Sequence, residues 1–347
     1  MIYFDSDYMT GAHPEVMEKL VETNREATPG YGNDAYTRKA RNLILEKCGI
    51  PDGEVYFLTG GTQTNAVVID RLLDKNDGVV AVDTSHINVH EAGAIEAWGH
   101  KILVLPNHDG KLYVSELKEF LEDFYKDETH LHMVRPGMVY ISFPTELGTI
   151  YSKEELKEIY AVCREYEMPL YIDGARLAFG ISVAENDVTI KELPKLCDVF
   201  YIGGTKCGAL FGEAVVTARP ELLRRFDSMR KLHGALLAKG RLLGLQFATL
   251  FSNDLYERIG KKGVKLAMRL RKVLESYGFK TFIDSPTNQQ FFVLPNEVIE
   301  SLKPDCSFEY WGSPGKKESK VRFVTGWSTS EEDIDRLDSL LSVITTR

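Results

Sequence analysis

With 347 residues, 44% of them hydrophobic, the chain is long enough to bury a large core and to form one big domain with a smaller one. A formal net charge of -9 disfavours nucleic acid and anionic membrane surfaces as partners, and no apolar run approaches the roughly 20 residues that a membrane-crossing helix needs. The start, Met1-Ile2-Tyr3-Phe4-Asp5-Ser6-Asp7, lacks the basic flank and apolar run of a signal peptide, and the five cysteines (Cys48, Cys163, Cys197, Cys207, Cys306) include no CxxC pair. Neither a disulfide framework nor a zinc site is indicated, and a cytoplasmic protein is expected.

From about residue 55 to 217, short apolar runs alternate with helical patterns, which predicts an α/β fold with a mostly parallel sheet. Strands are predicted at Glu54–Leu58, Val79–Val82, Lys101–Leu105, Val139–Phe143, Pro169–Ile172, Val199–Ile202 and Ala214–Thr217. Between the fourth and fifth, Ser152 and Glu155 form a capping-box pattern ahead of Leu156, Ile159, Tyr160 and Cys163 at helical spacing. Beyond about residue 220 the pattern changes to long amphipathic stretches, Leu222–Phe251 and Leu255–Tyr277, then strands near Lys280–Ile283, Gln290–Leu294 and Lys320–Val324. Ser330 and Asp333 open a last helix with Ile334, Leu337, Leu340 and Leu341 on one face. A large domain over residues 1–245, with an N-terminal arm, and a small α+β domain over 246–347 are expected.

Three segments carry chemistry. Leu58-Thr59-Gly60-Gly61-Thr62 passes from a strand through two glycines into a helix, a junction whose free N–H groups and dipole can cradle a phosphate, though such a turn is more often only a turn. Leu170-Tyr171-Ile172-Asp173-Gly174-Ala175-Arg176 is an apolar strand ending in a carboxylate and a guanidinium, where ligands of open α/β sheets sit; a helix cap and a surface arginine are the plain alternative. Val199-Phe200-Tyr201-Ile202-Gly203-Gly204-Thr205-Lys206 ends another strand in a lysine, either a snorkelling stem or an amine in a dry pocket. Their conjunction is more specific than any member. Pyridoxal phosphate (PLP) asks for a phosphate anchor, a carboxylate at its ring nitrogen and a lysine for its aldehyde.

With these segments in order, and with Ser6-Asp7, Pro29-Gly30-Tyr31-Gly32, Ser85-His86-Ile87, Pro144-Thr145-Glu146-Leu147-Gly148-Thr149 and Val321-Arg322-Phe323-Val324-Thr325, the chain resembles the β-eliminating lyase and threonine aldolase family of fold-type-I PLP enzymes. The resemblance spans nearly the whole chain and is nearest to low-specificity L-threonine aldolases. It implies that Lys206 carries PLP and that Asp173 pairs with the ring nitrogen. Gly61 and Thr62, with Thr205, would hold the phosphate, and His86 would stack on the ring. Arg176, Arg322 and Ser6 would bind the carboxylate of an amino acid substrate, with Arg176 also near the cofactor. Tyr31 would reach a neighbouring subunit's site, which implies a homodimer or homotetramer. The implied reaction is retro-aldol cleavage of L-threonine, L-allo-threonine and related β-hydroxy-α-amino acids to glycine and an aldehyde.

The chain departs from the family in the loop after the fourth strand, where many members carry a histidine and this one reads Ser142-Phe143-Pro144-Thr145-Glu146. His86, His90 or a water oriented by Glu91 must then accept the β-hydroxyl proton. His86 is favoured, because an imidazole titrates near working pH. Another PLP reaction on the same scaffold, β-elimination or transamination, is the nearest rival, and a non-catalytic binding protein is a second. Elsewhere, Cys207 is expected to be a packed thiol, His130 and His132 to be solvated, and His233 to lie at the surface or an interface.

Overall fold

The apolar runs assemble into one seven-stranded sheet in the computed structural model, which describes residues 1–346. The chain starts with a two-residue strand β1 (Ile2–Tyr3). The central sheet follows: β2 (Glu54–Leu58), β3 (Asp77–Val82), β4 (Lys101–Leu105), β5 (Arg135–Ser142), β6 (Leu170–Asp173), β7 (Val199–Gly203) and β8 (Glu213–Thr217). They lie in the order β2-β8-β7-β6-β5-β3-β4. The five strands from β7 to β4 are mutually parallel, and β8 runs antiparallel to both its neighbours. Each predicted strand of this sheet is present, with ends shifted by at most a few residues.

Helices cover both faces of the sheet, so its strands read as nearly unbroken apolar runs and their side chains divide with period two between two cores. Val80, Val82, Ile141, Ile172, Phe200 and Ile202 point into one core. Val79, Ala81, Tyr140, Tyr171, Val199 and Tyr201 point into the other. The second face therefore carries three neighbouring tyrosines on β5, β6 and β7, buried beneath the carboxyl ends of the strands.

A second, antiparallel sheet holds β9 (Lys280–Ile283), β10 (Gln289–Pro295), β12 (Glu309–Tyr310) and β13 (Glu318–Val324), in the order β12-β13-β10-β9. The remaining short strand, β11 (Cys306–Ser307), pairs in parallel with β1, and Ile2 and Phe4 join the third core with Leu270, Phe292 and Ile334. The chain start is thereby tied to the C-terminal part of the molecule. Helix Leu255–Ser276 bridges the two regions: Leu255, Tyr256 and Ile259 pack on the first core, while Leu266, Leu270 and Leu274 pack on the third.

Both capping boxes are present, at Ser152 and Ser330. The stretch Leu222–Phe251 differs from the single long element its periodicity predicts. It divides into helices Phe226–Leu232 and Arg241–Leu250. The break falls where Gly234 takes a left-handed conformation (φ 67°) and Ala235 turns into the second core.

The bridging helix approaches the turn that follows Arg176 closely enough to require a glycine. A Cβ on Gly260 would stand 2.1 Å from the carbonyl oxygen of Ala178. Gly→Ala inside a helix ordinarily stabilises by about 0.5–1 kcal/mol. At this contact the sign reverses: Gly260→Ala should lower unfolding stability in denaturant by about 2 kcal/mol or more, as overpacking does. A neutral or stabilising result would show that the two elements are not held in this contact.

Candidate active site

A cavity of about 300 Å³ opens at the carboxyl ends of β5, β6 and β7, bounded by Gly61, Thr62, His86, Asp173, Thr205 and Lys206. Helix Gly61–Leu72 points its N-terminus at this space. No side chain caps it, and Gly61 and Thr62 line the wall, so first-turn N–H groups face the cavity with the positive end of the helix dipole. The Thr205 side chain reaches the same cavity, with Oγ1 accepting the Gly212 N–H at 3.0 Å.

Asp173 is buried at the end of β6. Its Oδ2 accepts from Tyr140 OH at 2.7 Å and Asn65 Nδ2 at 3.1 Å, and its Oδ1 accepts from Ala175 N–H at 2.9 Å. Burial by itself would push its pKa up. Hydrogen bonding from Tyr201, the nearby His86 charge, Tyr140 and the Ala175 amide together outweigh that, and the group is held below the ordinary carboxylate range. The Tyr140 and Tyr201 hydroxyls are themselves pushed well above their usual values, first by burial and then by the Asp173 charge, and so remain donors.

Lys206 follows β7 into the same cavity. Burial, then the charge of Arg176, lower its pKa against the opposing pull of Asp7, Asp173 and Glu213, which raises the share of free amine. Glu213, at the start of the antiparallel β8, sits opposite Gly203, and its Oε2 accepts the Gly204 N–H at 3.0 Å. Burial pushes this carboxyl up to about 8. Cys207 is a buried thiol raised to about 12 by burial, in keeping with a packing role.

His86 also lines this cavity. Its Nδ1 lies 2.7 Å from Glu91 Oε1, and its backbone N–H donates to Glu146 Oε1 at 2.8 Å. A carboxylate only accepts, so Nδ1 carries the hydrogen and Nε2 is the nitrogen left to take one. Glu146 also accepts from Ser142 Oγ at 2.6 Å, and burial raises its pKa.

A second cavity of about 300 Å³ adjoins the first and shares Tyr8, His86, Glu146, Arg176 and Lys206 with it. Its outer wall is built by the second sheet. Arg322 on β13 lies with its guanidinium 5.1 Å from the Trp311 ring centroid, donates to Gln289 Oε1 at 2.8 Å and pairs with Glu309. Arg176 is gripped by Asp7 through Nε at 2.7 Å and Nη2 at 3.1 Å, and Asp7 also accepts from Asn288 at 2.9 Å. His90 lines this second cavity with its ring 5.6 Å from that of His86.

Of the residues singled out in the sequence, Gly61, Thr62, His86, Asp173, Arg176, Thr205, Lys206 and Arg322 meet at these two cavities. Ser6 lines neither cavity; its neighbour Asp7 is the side chain that reaches Arg176. Tyr31 lies elsewhere, 47% exposed at φ 58°, with Lys231 Nζ 4.9 Å from its ring centroid. His233, expected at the surface or an interface, has a side chain only 3% exposed within this chain. Its ring packs on Trp98 with centroids 3.7 Å apart and its Nε2 is 2.8 Å from Asp70, an acid shared with His100. Sequence reading gave no role to Asp7, Asn65, Glu213, Tyr140 or Tyr201, although Asp7 and Tyr201 stand inside motifs it singled out. Only the tyrosines left a signal there, one on the same sheet face of adjacent strands.

The chemistry of this donor set fits PLP: an uncapped helix start for a dianion, an ionised buried carboxylate, and a desolvated amine in one cavity. Comparison with known proteins agrees. A threonine aldolase of Leishmania major superposes with a TM-score of 0.96 at 38% identity, covering 99% of this chain and 100% of that one. The low specificity L-threonine aldolase of Pseudomonas aeruginosa is 28% identical over 340 residues, 97% of this chain and 95% of its own. That of Saccharomyces cerevisiae is 24% identical over 304 residues, 86% of this chain and 75% of its own. The beta-eliminating lyase family pattern matches residues 4–295, with the residues lining the first cavity, from Tyr8 to Glu213, inside it. The chain belongs to the beta-eliminating lyase family and, within it, groups with the threonine aldolases.

Proposed function

We propose that the protein is a PLP-dependent lyase that cleaves L-threonine, L-allo-threonine and related β-hydroxy-α-amino acids to glycine and an aldehyde. The observation that carries this reading is the meeting of Asp173, Lys206 and the uncapped helix start in one cavity that opens directly onto two arginines. Gly61 and Thr62, with Thr205, would hold the phosphate, Asp173 would face the ring nitrogen, and Lys206 is the amine that would carry the cofactor. When bound, PLP supplies an electron-accepting ring that draws off the pair left behind when a bond to Cα breaks.

The protein's own residues decide which bond that is. Arg322 and Arg176 bind the substrate α-carboxylate, and a carboxylate clamped in this way fixes rotation about Cα. His86, on the wall of the cavity that would hold the cofactor, accepts the β-hydroxyl proton at Nε2, the nitrogen left open by the Nδ1–Glu91 contact. Tyr31 is exposed and lines neither cavity of its own chain, which is compatible with its reaching the site of a second copy in a homodimer or homotetramer. Five free, buried cysteines, and no described helix long and apolar enough to cross a membrane, support a cytoplasmic location.

Two measurements test this reading. Holoenzyme incubated with L-threonine should release glycine and acetaldehyde in equal amounts; ammonia with a keto acid would instead establish elimination, and transfer of the amino group to an added keto acid would establish transamination. Arg322→Leu removes a charge-assisted contact of about 1.5–3 kcal/mol and should raise KM for threonine roughly 10- to 100-fold with a smaller change in kcat. An unchanged KM would take Arg322 out of substrate binding.

A further inference from the structure

Behind His86 and Asp173 runs a hydrogen-bonded chain that joins the two. Glu91 is fully buried, and its Oε1 receives both His86 Nδ1 at 2.7 Å and Asn65 Nδ2 at 2.8 Å. The same Asn65 nitrogen donates its other hydrogen to Asp173 Oδ2 at 3.1 Å. Tyr171 OH donates to Asn65 Oδ1 at 2.9 Å and so fixes which way the amide faces. One amide thus divides its two N–H bonds between two buried carboxylates. The other oxygen of Glu91, Oε2, is buried with no partner. An unpartnered buried carboxylate oxygen is costly, and the cost is offset when a positive charge forms next to it.

We propose that Glu91 and Asn65 are positioning residues that couple the proton taken up at His86 to the carboxylate Asp173. Glu91 fixes the Nδ1–H tautomer of His86, keeps Nε2 free to accept the β-hydroxyl proton, and stabilises the imidazolium that results. Asn65 holds Glu91 and Asp173 at a set separation, so that a charge arriving at either end is met by the same network. Asn65 lies in helix Gly61–Leu72, one turn beyond the first-turn residues that face the cavity, so a single element sets the positions of the helix start and of the relay. This rests on the reading of His86 as the proton acceptor.

The test is a double-variant cycle on the holoenzyme. Glu91→Gln should slow L-threonine cleavage at least ten-fold, with KM changed less than three-fold, and should slow exchange of the glycine α-hydrogen, which needs no hydroxyl base, at least ten-fold less than cleavage. In a His86→Asn background the same substitution should cost under three-fold more, because Glu91 acts through a side chain no longer present. Asn65→Leu, the second arm, should shift the visible absorption band of the bound cofactor through Asp173 and slow cleavage at least five-fold. Equal losses of cleavage and exchange in Glu91→Gln, or penalties that multiply fully in the double variant, would overturn the relay and leave Glu91 a packing residue. If the unaltered protein forms no aldehyde from threonine, the functional reading beneath the relay fails first, and the relay fails with it.

Discussion

Keeping Asp173 ionised in a dry strand end is the constraint on which the rest of the site depends. A carboxylate there is opposed by its own burial, so the fold must surround it with donors that are equally dry. Period-two alternation supplies them: Tyr140 and Tyr201 sit on the same sheet face as Tyr171, on the strands flanking β6, and helix Gly61–Leu72 brings Asn65 across that face. The parallel order of β5, β6 and β7 makes their carboxyl ends coincide, which is why the donors, Asp173 and Lys206 converge.

The second theme is the pairing of charge. Arg176 is matched by Asp7, Arg322 by Glu309, and Lys206 stands among Asp7, Asp173 and Glu213. Burying a charge without such a partner is costly, and removing one member of a pair exposes the full penalty for the other. These pairs also join distant parts of the chain, because Asp7 arrives on the segment that β1 anchors to the C-terminal region while Arg322 comes from the second sheet. The second cavity is therefore a product of the docking between regions, with residues from the central sheet and from the second sheet in its lining.

Much of this was legible in the sequence because it is local. Apolar runs bounded by glycines located the strands, and chemistry written at strand ends located Asp173, Lys206 and the Gly61–Thr62 junction. The supporting partners were not legible, because each comes from a remote segment: Asn65 and Asp173 are 108 residues apart, and Asp7 and Arg176 are 169 apart. Glu213 reads as an ordinary polar strand start until antiparallel pairing sets it against Gly203. For His233, the basic neighbours Arg230 and Lys231 suggest a surface or interface role; the cover that Trp98 and Asp70 give its ring comes from remote segments and is not written beside it.

The central claim is that Asp173 is a carboxylate placed to hold a proton on the cofactor's ring nitrogen. The most direct measurement is the 15N chemical shift of that nitrogen in holoenzyme prepared with labelled PLP, compared with the Asp173→Asn variant. The account predicts a protonated nitrogen in the unaltered protein at neutral pH and a shift toward the unprotonated value in the variant. An unprotonated nitrogen in the unaltered protein, or the same shift in both, would contradict it.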